Sequence, residues 1–129
     1  GFPPGGEKAV WFSNVKETDN KLIFVESGID ALSYHQLKGD EKTRYMSIGG
    51  NVSEQQKDII KSAIGKMPEG SIIVSGYDRD KAGDKYHQMM KELAPTAKII
   101  RDLPIANDWN EQLTNQLKKM QSMDRGVTN

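Results

Sequence analysis

Four short runs rich in apolar and β-branched residues, each followed by a stretch with helical periodicity, constrain this chain more than any other feature. The runs are Leu22-Ile23-Phe24-Val25, Arg44 to Ile48, Ile72-Ile73-Val74 and Ala97 to Ile100. The first and third are continuously apolar, the pattern of strands covered on both faces rather than one. After the first, Ser27 with Asp30 three residues on is a capping-box-like start. Ile29, Leu32 and Leu37 then give an apolar helical stripe, and Gly39 a stop. After the second come Gly49-Gly50 and a helix opened by Ser53 and Gln56, with stripe Ile59, Ile60, Ala63 and Ile64. Pro68-Glu69-Gly70 turns the chain into the third run. A helix from Lys81 to Leu93 follows, with Ala82, Tyr86, Met89, Met90 and Leu93 as its apolar positions and Pro95 beyond it. After the fourth run, Asp108 with Glu111 opens a final helix carrying Leu113, Leu117 and Met120. Repeated strand–helix alternation predicts an α/β fold: a parallel sheet of about four strands, joined by right-handed crossovers and flanked by helices. Ala9 to Phe12 adds a short N-terminal strand at an edge.

A chain of 129 residues is long enough for one domain with a core of its own. We place that domain over residues 8–123, with 1–7 as a Pro/Gly-rich linker and 124–129 as a flexible tail. The linker-like opening without methionine leads us to expect a piece of a larger protein. No apolar run approaches the ~20 residues of a membrane helix, and the N-terminus lacks a secretory signal pattern. With no cysteine, disulfide frameworks and thiolate metal sites are excluded. We expect a cytoplasmic protein without a membrane partner. Eighteen basic and eighteen acidic residues cancel. A domain gripping a duplex through many phosphates would be basic. If DNA or RNA is the partner, this domain supplies chemistry, and affinity comes mostly from elsewhere.

Two runs end in acid: Val25-Glu26, and Val74-Ser75-Gly76-Tyr77-Asp78-Arg79-Asp80. In an open α/β sheet, ligands bind where strands hand over to helices. On extended or turning backbone, Asp78 and Asp80 can point the same way. If the two strands are neighbours, Glu26 joins them. Two carboxylates that close repel by roughly 4 kcal/mol at an effective dielectric near 20. A hard divalent cation such as Mg²⁺ relieves that, with waters or a substrate phosphate completing its shell. Such a site polarises a phosphoryl oxygen, activates a nucleophile or holds a leaving group. Glu26 can instead stay free of metal and act as general acid or base. The plainer alternative is a solvated acidic turn with Asp80 as a helix N-cap.

The segment Leu22-Ile23-Phe24-Val25-Glu26-Ser27-Gly28-Ile29-Asp30-Ala31-Leu32, followed by Asp78-Arg79-Asp80-Lys81-Ala82-Gly83, resembles the Toprim domain. That family includes bacterial primases, type IA and type II topoisomerases, and OLD-family and small ribosomal-RNA-maturing nucleases. Its marks are a glutamate after the first core strand and an Asp-x-Asp after the third. The Asp-x-Asp-x-Ala-Gly form is similar to primases and to the Toprim-like domains of mobile-element proteins. Asn107-Asp108-Trp109-Asn110-Glu111 resembles a Lys-Asp-Trp-Asn-Glu segment of the latter, with Asn107 where lysine is frequent. Val10-Trp11-Phe12-Ser13-Asn14 resembles their lead-in strand. The likeness spans roughly residues 8 to 115. It implies a Rossmann-like Toprim fold. It also implies that Glu26, Asp78 and Asp80 are the catalytic and metal-binding acids, with Mg²⁺ as cofactor and Mn²⁺ as a substitute. The nucleic-acid chemistry it implies is phosphoryl transfer or phosphodiester chemistry, within a primase-like or DNA-mobilisation protein. The zinc module of a Toprim primase and the tyrosine nucleophile of a topoisomerase lie outside this domain in those enzymes.

Other polar residues have plainer readings. Asp84 is a further candidate ligand, or a first-turn acid favouring the helix N-terminus. Asp30, Asp108 and Glu111 read as caps, although the resemblance leaves Asp108 a role at the site. His35 and His87 have no second ligand at metal spacing. Arg79, Lys81, Lys85 and Lys91 can meet phosphates or simply be solvated. Trp11 and Trp109 read as core or staple residues, or as stacking platforms for single strands. Two competing functions remain: a non-catalytic metal- or nucleotide-binding regulatory module, and a phosphoacceptor receiver. The receiver needs its acidic pair after the first strand and a lone aspartate after the third, the reverse of this chain.

Overall fold

Leu22, Ile23, Phe24 and Val25 are all sealed from solvent, as a continuous apolar run requires. They belong to β2 (Lys21–Val25), which has strands on both sides and helices over both faces. The computed structural model describes residues 10–127; the segment read as a linker lies outside the described residues. Element order is β1 (Trp11–Phe12), β2, α1 (Gly28–Lys38), β3 (Thr43–Ser47), α2 (Glu54–Gly65), β4 (Ile72–Ser75), α3 (Lys81–Leu93), β5 (Ile99–Arg101) and α4 (Trp109–Val127). The sheet runs β1-β3-β2-β4-β5. The four inner pairings β3-β2-β4-β5 are parallel, and β1 joins β3 antiparallel, with Trp11 opposite Ser47. This is the expected α/β architecture with its extra N-terminal strand.

Because side chains alternate along a strand, β2 feeds two cores. Leu22 and Phe24 pack with Met46, Ile60, Tyr77 and Met90 beneath α2 and α3. Ile23 and Val25 pack with Ala31, Tyr34, Val74 and Trp109 beneath α1 and α4. Each such side chain contributes on the order of 1.5–3 kcal/mol by leaving water. The α2 start is a full capping box: Ser53 Oγ accepts from the Gln56 N–H, and the Gln56 side chain accepts from the Ser53 N–H. Among the described residues no helix is long and apolar enough to cross a membrane.

Four local readings change. In α1 the stripe of Ile29 and Leu32 faces solvent, at 63% and 67% exposure, and Ala31 and Tyr34 are buried instead. Positions two apart lie on opposite sides of a helix, so only one pair can face the sheet. Tyr34 wins because its ring packs edge-on to Trp109 at 4.7 Å while its hydroxyl donates to Asp102 at 2.8 Å, so both ends are satisfied. On α3, Ala82 is exposed and Gly83 is the buried residue of the first turn. β5 starts at Ile99, since Ala97 closes a turn onto the Ala94 carbonyl. In α4, Leu113 is half-buried and Leu117 and Met120 are exposed. The helix runs to Val127.

Candidate active site

β2 and β4 are adjacent and parallel, with Phe24 opposite Ser75. Their carboxyl ends therefore release Glu26 and the 76–80 loop at the same edge of the sheet. The Glu26 and Asp78 carboxyl groups are close enough to act on one another. Burial, the neighbouring Glu26 and the charges of Asp30 and Asp108 push the Asp78 carboxyl up to about 7. Its Oδ1 is buried without a partner.

Asp80 does something different. It is the N-cap of α3, and its Oδ1 accepts from the Gly83 N–H at 2.7 Å. Asp80 thus caps α3. It still shares a neighbourhood with Glu26: burial and the charges of Glu26 and Asp80 hold the Tyr86 hydroxyl above its ordinary range. That hydroxyl donates to the Gly50 carbonyl at 2.5 Å, linking α3 to the loop after β3. Among the described residues, no three His, Asp or Glu side chains are placed to hold one ion together.

The other candidates sort plainly. Asp84 pairs with Arg101 at 3.1 Å. Asp30 accepts from Ser27 Oγ at 3.0 Å while its N–H donates back to that oxygen, and burial raises its carboxyl. Asp108 accepts the Glu111 N–H at 2.7 Å. These two caps nonetheless push on Asp78, so the acidic field comes from more residues than a strand-end count supplies. His35 meets the Tyr45 hydroxyl at 2.9 Å. Burial and the charges of Arg101 and Lys91 lower the His87 imidazole. Lys81, Lys85 and Lys91 are exposed, and Arg79 donates to the Pro104 carbonyl. Trp109 is a core residue whose indole N–H donates to the Gly76 carbonyl at 2.7 Å, tying α4 to the base of the 76–80 loop. Trp11 is partly exposed on β1.

Sequence reasoning missed the backbone supports. A Cβ at Gly49 would stand 2.8 Å from the Glu26 carbonyl oxygen, and one at Gly83 would overlap the Asp78 carbonyl. Both acids thus sit where neighbouring backbone approaches closely, which glycine permits. The signal was present in Gly49-Gly50 and in the glycine five residues after Asp78. Arg101, which reaches the Asp78 carbonyl at 2.9 Å, carried no comparable signal.

A divalent cation fits this chemistry. Acidic groups gather at this edge, where a positive charge would relieve their repulsion, and the buried Asp78 Oδ1 has an unused acceptor site. Glu26 and Asp78 could hold an ion directly, and Asp80 retains a second oxygen beyond its cap.

Comparison with known proteins identifies the family and the fold. A family model described as Toprim-like matches residues 23–113. Among solved structures, the primase fragment of the bacteriophage T7 primase-helicase protein is similar in fold, with a TM-score of 0.62 at 21% identity. The likeness covers 81% of this chain and 43% of that one, so the chain spans less than half of the fragment's length. No curated protein matches. The matched segment runs from β2 into α4 and takes in Glu26 and the 76–80 loop; the chain belongs to the Toprim-like family.

Proposed function

We propose that this domain is a Mg²⁺-dependent unit for phosphoryl transfer or phosphodiester chemistry on DNA or RNA, within a larger primase-like or DNA-mobilisation protein. The observation that carries the reading is the convergence of Glu26 and the Asp78 loop at the carboxyl edge of two adjacent parallel strands. Glu26, Asp78 and Asp80 are the acids we assign to the metal, with Mn²⁺ able to replace Mg²⁺. The ion, when bound, would supply Lewis-acid polarisation of a phosphoryl oxygen. The chain's own part is to hold the acids at one edge, to keep Asp78 half-buried, and to use the loop–helix junction as a rigid frame. Zero net charge supports a division of labour in which other parts of the protein supply most of the nucleic-acid affinity.

A second reading, a non-catalytic metal- or nucleotide-binding regulatory module, is favoured by one observation: Asp80 already spends an oxygen on its cap. Two experiments separate these outcomes. Thermal melting with and without Mg²⁺, at fixed ionic strength, tests the metal. The wild type and Glu54→Gln should respond, and Asp78→Asn should not. Incubation of the longest available form of the protein with labelled nucleotides or oligonucleotides and Mg²⁺ tests the chemistry. Metal binding without any change in the nucleic acid would select the regulatory reading.

A further inference from the structure

Arg101 ends β5, directly opposite Ser75 at the end of β4. From there its Nη2 donates to the main-chain carbonyl of Asp78 at 2.9 Å and meets Asp84 Oδ1, in the first turn of α3, at 3.1 Å. The Asp78 carbonyl also accepts the Asp80 N–H at 2.9 Å. One guanidinium therefore ties the last strand, the acid-bearing loop and the following helix together. The Arg101 side chain is only 18% exposed, against 73% for its partner Asp84. Its Nε is buried with no acceptor. Room for the group exists because residue 83 has no side chain: a Cβ there would stand 3.0 Å from Nη2.

Withdrawing a charged head from water and leaving one donor unpaired opposes folding. A surface arginine paired with Asp84 alone would avoid both costs. What the buried position adds is the grip on the Asp78 backbone. The strongest influences on the Asp78 carboxyl are burial and other acids: Glu26, Asp30 and Asp108. Like charges gathered at one edge repel each other. A tether on the carbonyl of the same residue opposes that push while leaving the carboxylate oxygens free.

We propose that Arg101 is a positioning residue: by holding the Asp78 carbonyl, it keeps the Asp78 carboxylate beside Glu26 and thereby raises the affinity of the acid pair for a divalent cation. The inference rests on the reading of Glu26 and Asp78 as a cation site. It also has a sign that simple electrostatics does not. Arg101 is itself a cation near the site. If only its charge mattered, removing it would tighten cation binding.

The test is a titration of Mn²⁺ alone into the protein, with free ion followed by electron paramagnetic resonance and melting recorded without metal. Wild type should bind. Arg101→Gln should fold and bind at least about tenfold more weakly, a change of ~1.4 kcal/mol. Tighter binding would mean that the charge matters and the tether does not. Unchanged binding with a lower melting temperature would mean that Arg101 only supports the fold. Either result overturns the proposal. If Arg101→Gln does not fold, Arg101→Lys decides. It keeps the charge but lacks the planar fork that spans Asp78 and Asp84, and wild-type affinity in that variant overturns the proposal. If wild type binds no Mn²⁺, or Asp78→Asn binds as wild type does, the cation-site reading fails and this inference falls with it. If those controls hold and Arg101→Gln binds like wild type, only the positioning role fails.

Discussion

Replacing Asp78 with asparagine should remove a pH-dependent weakness from the metal-free protein. In the folded protein, burial and neighbouring acids push the Asp78 carboxyl up to about 7, whereas an ordinary aspartate releases its proton near 3.8. The proton is held more tightly in the folded state, so this group's contribution to stability is fully present below pH 3.8. It is lost as pH rises through 7. Taken in full, an interval of 7 − 3.8 is roughly 4 kcal/mol at 1.36 kcal/mol per pH unit. The carboxyl is only half-buried, and water screens it, so we reduce this to about 1–2 kcal/mol. Asparagine keeps the shape and a donor N–H but does not titrate. The two proteins should therefore melt together at pH 3.8 and below in chelator, diverge as pH rises from there, and the variant should melt higher by pH 8. For a domain of this size, 1–2 kcal/mol corresponds to about 4–8 °C. Adding ~10 mM Mg²⁺ at pH 8, with an assumed dissociation constant near 1 mM, should return about 1.4 kcal/mol to the wild type and little to the variant. Melting scans across pH 4–8 with chelator or Mg²⁺ check both parts. Parallel profiles for the two proteins would refute the raised Asp78 carboxyl. An equal response to Mg²⁺ would refute the metal reading.

Gly83→Ala should destabilise by about 1–3 kcal/mol, because its Cβ meets the rigid Asp78 carbonyl. This outweighs the ~1 kcal/mol that alanine gains in a helix, and the urea midpoint measures the balance. Trp109→Phe should cost about 1–3 kcal/mol in the same assay by leaving the buried Gly76 carbonyl without its donor. Ser53→Ala should cost about 1 kcal/mol through loss of the α2 capping box. Binding of a labelled oligonucleotide, followed by fluorescence anisotropy, should be weak, with a dissociation constant of roughly 10⁻⁴ to 10⁻⁶ M or weaker at physiological salt.

The sheet was legible because its signal is one-dimensional. A continuous apolar run such as Leu22 to Val25 has few places to go except between two layers, and its helical neighbours fix the crossovers. Helix rotation was less legible. In α1, Ile29 and Leu32 compete with Ala31 and Tyr34 for the same face, and periodicity alone favours the larger apolar pair. The outcome depends on Trp109 and Asp102, some seventy residues away, which give Tyr34 a ring partner and a hydrogen-bond acceptor. The meeting of Glu26 and Asp78 follows from strand adjacency, so sequence order could suggest it. The grip of Arg101 on a backbone carbonyl could not be read, since no residue type at position 78 is required for it.

The cap made by Asp80 is compatible with the metal role proposed for it. A carboxylate has two oxygens and about four acceptor directions. Capping α3 uses Oδ1 on the Gly83 N–H and fixes the side chain relative to the helix. The capped residue is also the second acid of the Asp-x-Asp pair, and α3 is held against the Asp78 loop by Gly83 and by the Arg101–Asp84 contact. Ordering Asp80 through its cap therefore also orders it relative to Asp78, so less conformational entropy remains to be lost when a ligand arrives. A flexible aspartate on a solvated loop would lose that freedom only on binding. The spacing Asp-x-Asp-x-x-Gly is then a physical unit: an acid on the loop, an acid on the cap, and a glycine that lets the helix donate to the second while touching the backbone of the first.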